Sequence, residues 1–308
     1  ADPGEKLEIS GSWGSKTTAE TDKEGRWMAH LETPKAGGPH TMTIKGNNTI
    51  TISDVLSGDI WLCTGQSNMA WPVEKTIKGQ ESIKSANYPQ IRRFSNQINP
   101  VMTAPEDVKE GSNWTRCSPE TAGKFSATAF YTTRELYKEL GIPLGIIMAA
   151  SGGTFIESYM SAEFLEDDYL AKRMIEKMEE KMSKEAPRSR LDKNYPGSLY
   201  RGNIVPLKNY ALKGIIWYQG ENNAFERERA GHYRVQLRNL IKCLRQQWSD
   251  AKLPFYFVQL PNFKEPMKNP NAGATGWAII RESFLEVAKS VPHTGMVVTI
   301  DIGETKQI

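Results

Sequence analysis

The sequence predicts an α/β protein, a parallel sheet covered by helices on both faces, preceded by a short β-rich region. Three observations carry that expectation. From residue 59 onward, apolar strand-like runs alternate with helical patterns, the signature of strands joined by crossover helices. Three of these runs end in polar, glycine-containing turns, which a parallel sheet would place along one edge. Residues 1–57 show no helical period of useful length.

In that first region, residues 6–10, 26–32, 40–45 and 48–53 read as short strands between turn clusters such as Asp22-Lys23-Glu24-Gly25 and Ala36-Gly37-Gly38-Pro39. So few strands are marginal alone, so residues 1–57 are expected to be an accessory region packed on residues 58–308. Residues 59–64 are a buried strand, bounded by Gly58 and Gly65. Residues 90–95 are a second short strand, and the Pro-, Asn- and Gly-rich stretch 96–123 reads as a surface loop. Residues 124–140 place Ala127, Phe130, Tyr137 and Leu140 on one helical face, stopped by Gly141 and Pro143. Residues 144–150 form a continuous apolar strand. Residues 162–184 form a charged helix whose Met174, Met178 and Met182 face the core, a reading favoured over a substrate lid. Strand 212–218, helix 229–248 (Tyr233, Leu237, Leu240, Leu244 and Trp248 on one face), strand 254–260, helix 276–289 and strand 295–301 complete the pattern.

Composition excludes several classes. At 308 residues, with 39% hydrophobic and 24% charged residues, the chain is ordinary for a globular protein. A net charge of +3 with no dense basic run argues against nucleic acid as a partner. No apolar run approaches the length of a membrane span. Cys63, Cys117 and Cys243 are far apart, too few for a disulfide framework, and neither they nor the four histidines show metal-ligand spacing, so no metal or cofactor is expected. Cys63 and Cys243 read as buried thiols.

The chemistry lies in the three turns. Gly65-Gln66-Ser67-Asn68 puts Ser67 at the carboxyl end of a strand, where open α/β sheets bind ligands. Ser67 there is either a nucleophile or, like Asn68, a helix cap. Met69 stands where a Gly-x-Ser-x-Gly elbow would have its second glycine. Ser151-Gly152-Gly153-Thr154 offers bare backbone N–H groups, or is a plain turn. Gln219-Gly220-Glu221-Asn222-Asn223 offers side-chain amides, or caps the sheet edge. Together the three supply what acyl transfer needs: a hydroxyl, backbone donors and an amide donor for the oxyanion.

These residues carry a resemblance. Gly65-Gln66-Ser67-Asn68-Met69, the Ser151–Ser158 stretch and Trp217-Tyr218-Gln219-Gly220-Glu221-Asn222-Asn223 resemble the blocks of the sialate O-acetylesterase family, within the SGNH (GDSL-like) hydrolases. Gly25-Arg26-Trp27, Leu199-Tyr200, Val205-Pro206-Leu207 and Asp301-Ile302-Gly303 extend the likeness over essentially the whole chain. The resemblance implies a three-layer α/β/α hydrolase domain joined to β-rich accessory structure. It implies removal of acetyl groups from sugar hydroxyls without a metal, in the periplasm or outside the cell. Ser67 matches the nucleophile, with its own N–H, that of Gly152, and Gln219 (favoured) or Asn222 as oxyanion donors. Glu221 is expected to hold the Ser67 turn or orient the base, and Asp301 matches an aspartate shortly before the family's catalytic histidine.

That histidine, in a His-Pro pair, is expected just after Ile308, so the sequence reads as a piece of a larger protein or a chain cut at both ends, or else a second polypeptide segment would supply the histidine. His30, His40, His232 and His293 are poor substitutes, and the chain alone is expected to be catalytically incomplete. Trp71, Trp217 and Tyr218 are candidates for stacking on a sugar ring or for buried packing. Arg92, Arg93 or Arg201 would meet a sialic acid carboxylate, or are surface charges. Two other readings compete: deacetylation of xylan or another plant glycan, and a sugar-binding protein without catalysis.

Overall fold

The computed structural model describes residues 1–184, 191–263 and 273–303. The stretch 304–308, after which the base is expected, lies outside them.

The first sheet is antiparallel, built from β1 (Lys6–Gly11), β2 (Lys16–Glu20), β3 (Gly37–Lys45) and β4 (Thr49–Ser57), in the order β2-β1-β3-β4. Two expectations fail here. Residues 26–32 form no strand, although the pattern suggests one, and Trp27 and Met28 are exposed. Residues Lys16–Glu20 form one instead, paired to β1 by the register Leu7↔Ala19 and Ile9↔Thr17. Its sequence, Lys-Thr-Thr-Ala-Glu, buries no large side chain, so only pairing to β1 marks it as a strand.

The second sheet has seven strands: β5 (Asp59–Gly65), β6 (Tyr88–Ser95), β7 (Asn113–Cys117), β8 (Leu144–Ala150), β9 (Gly214–Tyr218), β10 (Phe255–Val258) and β11 (Thr294–Val297). Their order is β11-β10-β9-β5-β8-β6-β7, parallel throughout except for the antiparallel edge strand β7. β7 corrects the reading of 96–123 as loop alone. It is short and mostly exposed, so it lacks the apolar run by which the buried strands announce themselves.

The helices are α1 (Ser67–Ala70), α2 (Gly79–Lys84), α3 (Ala127–Leu140), α4 (Ala162–Leu165), α5 (Tyr169–Lys184), α6 (Glu221–Ala224), α7 (Arg227–Gln247) and α8 (Gly276–Ser290). α3 starts three residues later than expected because Ser126 caps it, accepting from the Ala129 N–H at 3.1 Å. The helix expected over 162–184 breaks in two. The Asp168 carboxylate accepts from the N–H groups of Leu170 and Ala171 at 2.9 and 3.0 Å, a cap that restarts the chain as α5. Met174 is buried, whereas Met182 is half exposed, so the methionine stripe faces the core only at its start.

Strand alternation divides the core into two layers. Leu62, Ile147, Ile215 and Trp217 pack with Tyr233, Leu237 and Leu240 of α7 and Ile280 and Phe284 of α8. Trp61, Cys63, Ile146 and Ile216 face the other way, against Phe125 and, from α1 and α3, Met69 and Phe130. The result is the three-layer α/β/α arrangement. All three cysteines are free and buried.

Strand order positions the site. β5 lies between β8 and β9, and the chain builds one half of the sheet before the other, so the direction of winding changes beside β5. The register sets Gly65 level with Ala150 of β8 and with Tyr218 of β9. The turns after all three strands therefore meet at one edge.

Candidate active site

Gly65 makes the Ser67 turn possible. Its φ is +135°, and a Cβ there would lie 2.1 Å from the Tyr218 carbonyl oxygen, so the close approach of β5 to β9 needs glycine. The Gly65 carbonyl accepts from the Ser151 N–H at 3.0 Å and from the Tyr159 hydroxyl at 2.6 Å. The Gln66 N–H donates to the Tyr218 carbonyl at 2.9 Å. Ser67 follows as the first residue of α1 and is exposed, while Gln66 and Met69 on either side are buried. A serine on a buried pedestal keeps its hydroxyl in solvent with a fixed backbone.

The second turn lies against the first. A Cβ on Gly152 would come 3.4 Å from the Ser67 Cβ, so the backbone of residue 152 is next to the Ser67 side chain. The Thr154 hydroxyl donates to the Ser151 carbonyl at 2.8 Å and closes this turn.

The third turn gives the two amide candidates different surroundings. Gln219 is fully buried, and its Nε2 points at Gln66 Oε1 (3.2 Å), the Thr154 carbonyl (2.9 Å) and Asn223 Oδ1 (2.8 Å). Its donors are committed to tying the three turns together, so it is a positioning residue. Asn222 is half-buried beside it, with its backbone N–H on Gln66 Oε1 at 3.3 Å and only a long 3.4 Å contact from Nδ2 to the Gly153 carbonyl. Of the two candidates, Asn222 has the amide free to face a ligand.

Behind the turns lies a buried polar chain that the sequence reading missed. Asn223 Nδ2 donates to Glu157 at 3.2 Å, and Glu157 pairs with Arg229 at 2.9 Å, the two side chains being 0% and 9% exposed. Burial raises the Glu157 carboxyl above its ordinary value, against the opposing pull of Arg229. The Tyr233 hydroxyl reaches both the carbonyl and the side-chain oxygen of Gln219, at 3.0 and 2.9 Å. The sequence signal was present, since Glu157 and Asn223 lie within the quoted blocks, but their partner Arg229 lies outside them.

Glu221 is also buried. One carboxyl oxygen accepts from Asn68 Nδ2 at 2.6 Å, and the other has no hydrogen-bond partner. Burial pushes its carboxyl up to about 7. Glu221 is thus bonded to the residue next to Ser67. Asp301 sits in an exposed turn beyond β11, which ends at Val297 rather than at 301. Among the described residues no contact joins Asp301 to Ser67.

The four histidines lie elsewhere. His40 packs edge-on against Trp13 in the first sheet, His232 lies 3.3 Å from Asp168, and His293 precedes β11 at the opposite strand end. His30 falls in the irregular stretch after β2.

The sugar-contact candidates separate clearly. Trp71 is 41% exposed just after α1, with the Lys75 ammonium 5.5 Å from its ring, and Tyr218 is half-buried at the end of β9. Trp217 is fully buried and donates to the Tyr233 hydroxyl at 3.2 Å, so it is core. The Arg201 guanidinium donates to the carbonyls of Val101 and Pro196 at 3.0 and 3.2 Å, which ties its own loop to the stretch around residue 101. Arg92 grips Asp54 of the first sheet at 2.9 Å, and Arg93 donates to the Lys124 carbonyl. No helix among the described residues is long and apolar enough to cross a membrane.

A three-layer α/β/α fold with these three turns at its switch point is the architecture of the SGNH-type carbohydrate esterases. A solved carbohydrate acetylesterase from Xanthomonas citri superposes with a TM-score of 0.86 at 32% identity, over 99% of this chain and 64% of that one. The sequence profile of the carbohydrate esterases described as sialic acid-specific acetylesterases matches residues 57–307. The chain belongs to that family. The mouse sialate O-acetylesterase is 30% identical over 93% of this chain and 60% of its own length. The human sialate O-acetylesterase is 32% identical over 68% of this chain and 40% of its own length. The chain thus spans about half the length of the curated relatives it matches.

Proposed function

We propose that the protein is a serine esterase that removes O-acetyl groups from carbohydrate, foremost from O-acetylated sialic acid, through an acyl-enzyme on Ser67. The observation that carries this reading is the exposed Ser67 hydroxyl on a buried turn, with the backbone of Gly152 beside it and the Asn222 amide at the same sheet edge. Ser67 attacks the acetyl carbonyl. The N–H groups of Ser67 and Gly152, with the Asn222 amide, hold the oxyanion, and water then releases acetate. The proton of Ser67 passes to a histidine base, with Asp301 as its orienting carboxylate. Glu221 works from below, through Asn68. Trp71 and Tyr218 form the apolar side against which the sugar ring lies. The place of action is the periplasm or the exterior.

The test combines a fluorophosphonate with peptide mapping and an acetate-release assay. A stoichiometric adduct on Ser67, with acetate released faster from O-acetylated sialic acid than from acetylated xylan, is expected from the protein carrying the histidine. An adduct on another residue would reject the nucleophile. Faster release from xylan would transfer the activity to plant glycans. Sugar binding with neither adduct nor acetate would favour a non-catalytic binding protein.

A further inference from the structure

We infer that Lys193 is the specificity-determining residue that meets the negative charge of an acidic sugar, setting the preference for acidic over neutral substrates. The inference rests on the esterase reading for the location of the substrate, and it assigns to one side chain a role that the motif blocks do not contain.

Lys193 lies outside the three turns in sequence but not in space. Its ammonium donates to the carbonyl of Gly152, the residue whose backbone adjoins the Ser67 side chain. The next residue fixes it there. Asn194 Nδ2 donates to the Gly153 carbonyl at 3.1 Å, and Asn194 Oδ1 accepts from the Phe155 N–H at 3.1 Å. The Lys193 carbonyl in turn accepts from the Ser198 hydroxyl at 3.0 Å. A lysine backbone clamped on both sides, with the side chain half-buried, has lost much of the freedom that makes surface lysines poor recognition groups.

The charge is also uncommitted. Lys193 pairs with no carboxylate among the described residues, and an ammonium has three donors, of which Gly152 takes one. The arginines first considered for this task are all engaged elsewhere: Arg92 with Asp54, Arg93 with Lys124 and Arg201 with Val101 and Pro196. A half-buried cation beside the nucleophile raises affinity for an anionic ligand more than a solvated one would, because screening is weaker there.

Binding of free N-acetylneuraminic acid and of its neutral carboxamide, measured by calorimetry, tests this without any turnover. In the unaltered protein the acid should bind about tenfold more tightly than the amide, the value of one charge-assisted hydrogen bond. Lys193→Met should bring the ratio close to one chiefly by weakening the acid, and Lys193→Arg should keep most of it. The acid's advantage should also shrink as salt rises. An unchanged ratio in Lys193→Met would overturn the inference, as would equal weakening of both compounds, which marks a role confined to holding the turn. Failure of either compound to bind would overturn it too. Acetate release and Ser67 labelling, run in parallel, judge the esterase reading separately: charge discrimination without labelling would reject that reading and keep Lys193 as an anion contact.

Discussion

Glu221→Gln should change how stability depends on pH. The Glu221 carboxyl is 2% exposed, receives one hydrogen bond from Asn68 at 2.6 Å, and leaves its other oxygen without a partner. Burial lifts its pKa from 4.5 to about 7. At about 1.4 kcal/mol for each tenfold change in proton affinity, ionising it inside the fold costs about 3 kcal/mol more than in the unfolded chain. The sign follows from proton counting. Between 4.5 and about 7 the native state holds the proton that the unfolded state has released, so stability falls as pH rises through that window. The contribution is fully present below 4.5 and lost above about 7. Glutamine cannot titrate, so it removes this slope. It keeps an acceptor for Asn68 but puts an amide donor where the unpartnered oxygen was, a pH-independent cost of about 1–3 kcal/mol. Urea unfolding of both proteins between about pH 5 and about pH 8 reads the difference directly. The wild type should be favoured at the acid end, and the gap should move toward the variant by about 3 kcal/mol across the range. A gap that stays constant within about 0.5 kcal/mol would refute the assignment of a titrating buried carboxyl.

Two further outcomes follow from the same geometry. Asn222→Ala should lower acetate turnover by about 100- to 1,000-fold with little change in thermal midpoint, whereas Gln219→Ala, which strips four buried contacts, should lower the midpoint as well; an unaltered rate in Asn222→Ala would return the oxyanion role to another donor. Arg229→Met should destabilise the fold by about 3–5 kcal/mol, because it leaves the buried Glu157 carboxyl without its ion-pair partner. The loss should be smaller in acid, where Glu157 takes up a proton, and denaturant titration in acid and at higher pH checks this.

The parts of the fold that the sequence declares are those governed by burial. β5, β8 and β9 are continuous apolar runs because both faces of a central parallel strand are covered, and the helical faces of α3, α7 and α8 follow from the same cores. β2 and β7 escape notice because an exposed strand depends on hydrogen bonding to its neighbour, which leaves little trace in composition. Residues 26–32 mislead in the opposite direction, with strand-like residues but no partner strand. At the site, Ser67, Gly152 and the 219–223 turn are legible because glycines and polar residues interrupt apolar runs there. Lys193 and Arg229 are invisible for a different reason. Each reaches the site across a long sequence separation, from a stretch that reads as ordinary charged surface.

That division bears on what holds Ser67 in place. α1 is a single turn of four residues, too short to be stable through its own hydrogen bonds. The turn must therefore be fixed from outside, by α3, whose Thr128 hydroxyl donates to the Asn68 carbonyl at 3.3 Å, and by the segments that follow the neighbouring strands. Ser151 and Tyr159 hold the Gly65 carbonyl, Gln219 and the Asn222 backbone hold Gln66, and Glu221 holds Asn68. Apart from that of Tyr159, each of these bonds joins two of the three turns, so the geometry around Ser67 is a property of the sheet edge rather than of its local sequence. A polar network in a buried setting is costly when only partly satisfied and rigid when complete. Glu221 is where this one is incomplete, with one oxygen bonded and one bare. Its protonation state is thus a feature of the pedestal that solution pH can alter near neutrality, directly beneath the residue that follows Ser67.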